Sequence, residues 1–511
     1  MKKKTYIFWI LLLALGMMLV ACGGGGTEPE ESTTDTADSA ETVADDSEEM
    51  DADEPAAEEE MAEEEVAEEE MAEEEVAEEA AEEEMADSDR TVVRWFVGLG
   101  TGQNAEQVAA QEAVVEAFNA SQEEIELVLE IVQNDVAYDT LATAIASGDA
   151  PDIIGPVGVK GSNAFSGSWM DLEPLAESAG YDLGQFPEAA VDFYRVEGEG
   201  LIGLPFGVFP SFIYYNRALF DEAGLEYPPH QYGEPYADGE DWDYDKLREL
   251  AMILTVDANG NDATSPDFDP EAVEQFGFIN QWTDLRGSLS QFGVGNLVDD
   301  SGNAVMPDHW MEGLQWQYDG IWVDHFMPSQ AYQDSELLAT PNAFASGNVA
   351  MAQTHLWFTC CLGEMEDEWD MAVMPTYNGE PTAKLHADTF RILDTTEHPD
   401  AAFTVLTYLI GDASDDLLQV YGGMPARPDE TDAFFAGLEE QYPHDVDWQV
   451  ALDSLNYPDN PSHEGNMPNF QKADDRTASF YSLLQTDGTI DLQAEIETFL
   501  GDMQSIFDEV Q

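Results

Sequence analysis

Hydrophobic and polar positions divide the chain into stretches of different character. Ile7 to Val20 is an apolar run interrupted only by the small Gly16. Glu58 to Glu84 repeats a five-residue unit, Met/Val-Ala-Glu-Glu-Glu, with Met61, Val66, Met71 and Val76 in step. That period matches neither a helix face nor a heptad, so no apolar seam forms. Glutamates four apart also repel along a helix. The stretch reads as a solvated, extended tether. Near Arg90 the pattern becomes that of a folded body. Thr91–Val97 predicts a strand and Gly98–Gln103 a tight glycine loop. A helix follows from Asn104 to about Phe118, with Gln107 completing a capping box and Val108, Val115 and Phe118 along one face. Glu126–Val132 predicts a second strand, Tyr138–Ser147 a second helix, and Gly148–Asp152 the turn into a strand at Ile153–Ile154. Alternating strands and helices indicate an α/β sheet that is largely parallel. From Pro205 onward strands are sparse and helical stretches dominate: Tyr244–Leu254, Trp310–Asp319, Pro399–Ile410 and Leu492–Phe507. The pattern therefore gives an α/β lobe and a helix-richer lobe.

At ~150 residues per domain, 511 residues make about three domains, or two large ones with appendages. The chain has 108 Asp and Glu against 16 Lys and Arg. Residues 28–89 hold 32 of the acids and no base, yet residues 90–511 still carry 76 acids against 13 bases. The body itself is thus strongly negative. Such a surface repels phosphate backbones and anionic lipid, so no nucleic-acid partner is expected. Its self-repulsion at neutral pH and low salt points to saline or acidic surroundings.

The amino terminus carries an address. Lys2, Lys3 and Lys4 precede the apolar run, which is shorter than the ~20 residues of a membrane span. It ends in Leu19-Val20-Ala21-Cys22, followed by Gly23–Gly26. Small residues before a cysteine resemble a bacterial lipoprotein signal, with residues 1–21 removed and Cys22 lipidated. The other reading is an uncleaved anchor helix with an incidental cysteine. Both place residues 23–511 outside the cytoplasm, with 22–89 as the tether.

Four further segments stand out: Ala146-Ser-Gly-Asp-Ala-Pro-Asp152; Leu204-Pro-Phe206 with Ile213-Tyr-Tyr-Asn-Arg-Ala-Leu-Phe-Asp-Glu-Ala-Gly-Leu225; Ala343-Phe-Ala-Ser-Gly-Asn-Val-Ala-Met351 leading to Trp357; and Gly423-Met-Pro-Ala-Arg427. Together they resemble the extracellular solute-binding proteins of ABC importers, in the carbohydrate-binding group that includes maltose-binding protein. They stand in the family's order. The resemblance implies a two-lobed α/β fold of the periplasmic-binding-protein type II class with three interlobe crossings. Lobe one would be 90–207 plus 390–425, and lobe two 208–388 plus 427–511. The crossings would fall near Pro205–Ser211, His386–Arg391 and Gly422–Arg427, short segments suited to hinges. It also implies a monomeric binder, with no cofactor, that passes a carbohydrate to permease subunits.

Sugars offer hydroxyls and an apolar ring face, so recognition calls for planar amide, carboxylate and guanidinium groups with aromatic rings beneath. Thr101 and Gln103, in the glycine loop at a strand–helix junction, are ligand-contact candidates; the alternative is an ordinary βα turn. Trp357 matches the family's cleft tryptophan, and Trp282 is a second stacking candidate; core packing is the alternative for both. Phe206 and Phe209 flank the first crossing, divided between cleft lining and hinge packing. Asp388 and Arg427 sit at the other crossings, divided between ligand contact and an interlobe ion pair or cap. Asn134 and Tyr138 follow the second strand and complete the set. Cys360 and Cys361 are either a vicinal disulfide, strained because neighbouring Cα atoms lie ~3.8 Å apart, or two free thiols; either way they adjoin Trp357.

No metal site is expected. The Asp257–Asp262 loop has its glycine at the fourth position, not the sixth, and lacks a glutamate at the twelfth, so it reads as a solvated turn and not a calcium loop. His-Glu-x-x-His, Gly-x-Ser-x-Gly and P-loop motifs are missing from the sequence. An extracellular glycoside hydrolase and a receptor for a signalling sensor remain as alternatives to the importer's binding protein.

Overall fold

The computed structural model describes residues 90–196 and 198–510, so the signal, Cys22 and the acidic tether lie outside the described residues. The first part of the body alternates strand and helix: β1 (Thr91–Val97), α1 (Ala105–Ser121), β2 (Ile125–Ile131), α2 (Asn134–Ser147), β3 (Ile153–Val157) and α3 (Val159–Ala164). The later part holds β4 (Gly207–Asn216), α4 (Tyr244–Ile253), β5 (Val273–Asn280), α5 (Leu285–Ser290), α6 (Asp308–Trp322), β6 (Val349–His355), β7 (Trp369–Ala372), β8 (Leu385–Ile392), α7 (Pro399–Leu409), α8 (Ser414–Tyr421), β9 (Met424–Pro425), α9 (Phe470–Thr486) and α10 (Leu492–Asp508).

The main sheet runs β2-β1-β3-β8-β4-β6-β5. β1 is parallel to β2 and β3, and β5 is parallel to β6, whereas β8 and β4 are antiparallel to their neighbours. The expectation of a largely parallel sheet is therefore corrected to a mixed one. The expectation of sparse strands after Pro205 is also corrected. Phe209 to Asn216 and the whole of β6 are buried. A strand covered on both faces shows a continuous apolar run and no alternation, which hides it from a period-two reading.

The face of α1 differs as well. Gln107, Gln111, Val114 and Phe118 are buried, while Val108 and Val115 are only partly so. The two glutamines turn inward because the glycine loop needs them: Gln107 Oε1 accepts from the Gly102 N–H at 2.9 Å, and Gln111 Nε2 donates to the Gly102 carbonyl at 2.7 Å. The Asp257 loop is a solvated turn as expected, with Ala258, Asn259 and Gly260 exposed, although Asp257 itself is not. The Asp257 carboxylate is buried, accepts the backbone N–H groups of Asn259, Asn261 and Asp269, and is held well below the usual range by them against the cost of burial.

Buried apolar side chains divide into two sets. One draws on residues 93–206 and 387–421. The other draws on residues 212–383 and 424–507. The chain passes between the sets three times, at 206–212, 383–387 and 421–424.

Candidate ligand-binding cleft

The second and third passages both pair with the first. Leu385, His386, Ala387 and Asp388 of β8 face Pro210, Phe209, Val208 and Gly207 of β4, while Met424 and Pro425 face Val208 and Gly207. Successive side chains of a strand point to opposite faces. Phe209, His386 and Asp388 thus line a cleft of about 840 Å³. Val208, Leu385 and Ala387 line a separate, apolar cavity of about 560 Å³.

The loops after β1, β2 and β3 form one wall of the cleft, at the carboxyl ends of parallel strands where open α/β sheets hold ligands. Two glycines make the first loop possible. A Cβ on Gly98 would lie 2.8 Å from the Val132 carbonyl, and Gly102 has φ +118 with Val97 Cγ1 2.4 Å from any added Cβ. Thr101 Oγ1 accepts from Gln107 Nε2 at 2.7 Å, Gln103 Nε2 donates to the Gly100 carbonyl at 3.1 Å, and Asn134 Nδ2 donates to the Gly98 carbonyl at 2.9 Å. The same side chains that line the cleft therefore fix the loops that carry them. The Tyr138 ring lies parallel to Phe165, and burial pushes its hydroxyl up to about 12.

The opposite wall is aromatic. The Trp282 and Trp357 rings lie 6.0 Å apart, with 6° between their planes. Trp282 is 54% exposed at φ +50, a backbone conformation uncommon outside glycine. Cys360 and Cys361 also line this wall and are free thiols, so the disulfide alternative is corrected to the free-thiol one. The 421–424 passage touches the turn behind Trp357: a Cβ on Gly422 would meet the Trp357 backbone at 3.0 Å.

Charged groups lie deeper. Asp388 is pushed up to about 7 by burial and by Glu464. Lys160 Nζ lies 3.0 Å from Asp474 and 3.7 Å from Asp284. Burial would lower the Lys160 pKa, but these two carboxylates overcome it and raise it. Asn163 Nδ2 donates to the Glu464 carbonyl at 2.8 Å. The α3 region thereby ties the first core set to the second.

Residues 101–416 match the family of bacterial extracellular solute-binding proteins. The chain belongs to this family. Its members bind solutes and are not enzymes. As a solute-binding protein the chain is similar to the curated arabinooligosaccharide-binding protein of Halalkalibacterium halodurans, 24% identical over 323 residues, which are 60% of this chain and 66% of that relative's length. Among solved structures it resembles the ABC substrate-binding protein Lmo0181 of Listeria monocytogenes in complex with cycloalternan, at TM-score 0.65 and 18% identity, covering 82% of this chain and all of that one. It also resembles maltose-bound T. maritima MalE3, at TM-score 0.60 and 18% identity over 81% of this chain and all of that one. The fold is thus the two-lobed α/β fold of these binding proteins. Among the described residues no helix is long and apolar enough to cross a membrane.

Of the solute-binding protein's expected site residues, Thr101, Gln103, Asn134, Tyr138, Phe209, Trp282, Trp357 and Asp388 line the one cleft. Phe206 and Arg427 do not. Phe206 is buried against Phe390 and Tyr421, because its neighbour Pro205 turns to the rear cavity while the ring fills the first core. Arg427 is held by Glu430, Ser414 Oγ and the Gly411 carbonyl, so its charge is spent inside its own surroundings. Lys160, His386 and Glu464 line the cleft without having been anticipated. Lys160 is one of only 13 bases in residues 90–511, and that scarcity was an available signal. His386 shares a strand face with Asp388 two positions on, whereas nothing local singles out Glu464.

Proposed function

We propose that the chain captures a neutral sugar or oligosaccharide between its lobes and delivers it, unaltered, to the permease of an ABC importer. The supporting observation is the parallel Trp282–Trp357 pair facing amide, hydroxyl and carboxylate groups across a cleft bounded by the three chain passages. Rings beneath and planar polar groups around are what a hydroxylated ring requires. The ligands of the relatives, an arabinooligosaccharide, cycloalternan and maltose, belong to this class. Lobe one is 90–207 plus 390–425 and lobe two 208–388 plus 427–511, in keeping with the two core sets. Ligand contacts both lobes only in the closed form, so differential affinity draws the open form shut. The negative body favours a neutral guest over an anion. Cys22 carries the lipid that anchors a monomer to the outer face of the cell membrane, and the acidic tether spaces the body from it.

A thermal-shift screen against arabino-, malto- and manno-oligosaccharides tests the reading, followed by calorimetry and small-angle scattering. Saturable binding near the micromolar scale, ~8 kcal/mol, with a more compact scattering profile and unchanged sugar afterwards, is expected. Product formation, or an identical profile with and without a bound sugar, overturns it.

A further inference from the structure

We propose that the floor of the cleft is a site for one divalent cation of the zinc class, held by Nε2 of His386, Nε2 of His463 and a carboxylate oxygen of Glu464. One ligand atom from each lies within 4.8 Å of the others. His386 Nε2 is 3.2 Å from His463 Nε2 and 3.9 Å from Glu464 Oε1. Zinc–ligand bonds of ~2.0–2.1 Å at tetrahedral angles set neighbouring ligand atoms ~3.3–3.4 Å apart. The two nitrogens already stand near that span, and Glu464 Oε1 lies about 0.5 Å beyond it from His386 Nε2.

Ring orientation supports the assignment. The His386 and His463 planes differ by 21°, with centroids 5.2 Å apart. Since the nitrogens are 3.2 Å apart, the rings meet edge to edge through Nε2 and not face to face. Asp459 Oδ2 takes the Nδ1–H of His463 at 2.6 Å, which leaves the His463 Nε2 lone pair free to ligate. Asp459 is itself fixed by the backbone N–H groups of His463 and Leu385, each at 2.8 Å. A carboxylate behind an imidazole is the usual outer support of a metal-bound histidine. The cation would take the place of the present Nε2···Nε2 hydrogen bond, with His386 ligating as the neutral tautomer whose proton has moved from Nε2 to Nδ1 through water.

Space and charge agree. A Cβ on Gly158 would lie 3.0 Å from Asp388 Oδ1 and 3.9 Å from Glu464 Oε2, so the glycine keeps the approach to the Glu464 carboxylate open. His386 and Glu464 line the cleft, and the cation's remaining position faces it. Asp388, Asp459 and Glu464 surround the site, while the cations of this region are held elsewhere: Lys384 Nζ donates to Thr283 Oγ1 at 2.7 Å and Lys160 is paired with Asp474 and Asp284. Two imidazoles with one carboxylate select zinc, cobalt or nickel over magnesium or calcium.

The test uses the full chain, stripped with chelator and titrated with ZnCl2 and then CoCl2 under excess MgCl2, without sugar. One Zn2+ per chain is expected, with visible Co2+ bands and no thiolate charge-transfer band. His386→Gln and His463→Gln should each remove this binding, and Asp459→Asn should weaken it tenfold or more. The Cys360→Ser/Cys361→Ser pair should leave it intact. Binding unchanged in His386→Gln, a thiolate band, or no Zn2+ uptake above the Mg2+ background overturns the proposal. If His463→Gln fails to fold, as judged by circular dichroism, the less buried His386→Gln decides. Because no sugar is present, the outcome is independent of the carbohydrate reading.

Discussion

Replacing Trp282 by glycine isolates the contribution of a single ring to ligand capture. The residue is 54% exposed. Taking ~250 Å² for a whole tryptophan, about 135 Å² faces the cleft and solvent. A sugar ring covering half of that buries about 65 Å² of the indole, worth ~1.6 kcal/mol at ~25 cal/mol per Å². The expected loss is about 15-fold in Kd. Glycine suits the site because φ is +50 there, a conformation that costs glycine nothing and other residues about 1 kcal/mol. That relief offsets part of the lost packing on Trp357, at 6.0 Å, and on Phe358, at 5.3 Å. The fold should therefore survive, and a weaker ligand grip cannot be ascribed to unfolding. Calorimetry with the oligosaccharide that gives the largest thermal shift provides Kd, and the unliganded melting curve provides the control. A Kd within twofold of the parent, with a normal melt, would refute the stacking argument.

Other substitutions separate grip from support. Phe206→Ala, at a 3% exposed ring packed on Phe390, should cost about 3–4 kcal/mol of stability in urea unfolding while leaving Kd within twofold. Lys160→Met removes a partly buried bridge to Asp474 and Asp284, and should weaken ligand about five- to tenfold while enlarging the radius of gyration of the unliganded chain in scattering. An unchanged radius would deny the bridge a part in closure. Gly277→Ala places a Cβ 2.0 Å from the Ala251 carbonyl, against backbone that cannot yield cheaply, and should destabilise by ~3 kcal/mol in the same unfolding assay.

The sequence was most readable where chemistry is local. Asn104 caps α1 through its side chain on the Gln107 N–H at 2.9 Å, and Gln107 reaches back to the Asn104 N–H at 3.4 Å, as the four-residue pattern predicts. The loops after β1 and β2 were legible for the same reason: each cleft side chain lies within a few residues of a strand end. Legibility failed where contacts join distant segments. His386 and His463 are 77 positions apart and meet because Asp459 binds the Leu385 N–H, a link without any periodic signature. The inner face of α1 was misread because two glutamines satisfy a loop backbone, which polarity alone assigns to water. Arg427 and Phe206 matched the family pattern in type and position, yet each is consumed by neighbours that only tertiary packing supplies.

The pairing of β8 with β4 makes chain length a stricter constraint than side-chain identity at that point. Deleting one residue just before Leu385 would slide the following strand by one place. Leu385 and Ala387 would then swing toward the sugar side, and His386 and Asp388 toward the apolar rear. Tolerated changes there should consequently be exchanges of one residue for another, while insertions and deletions should be confined to the outlying loops, where no such parity exists.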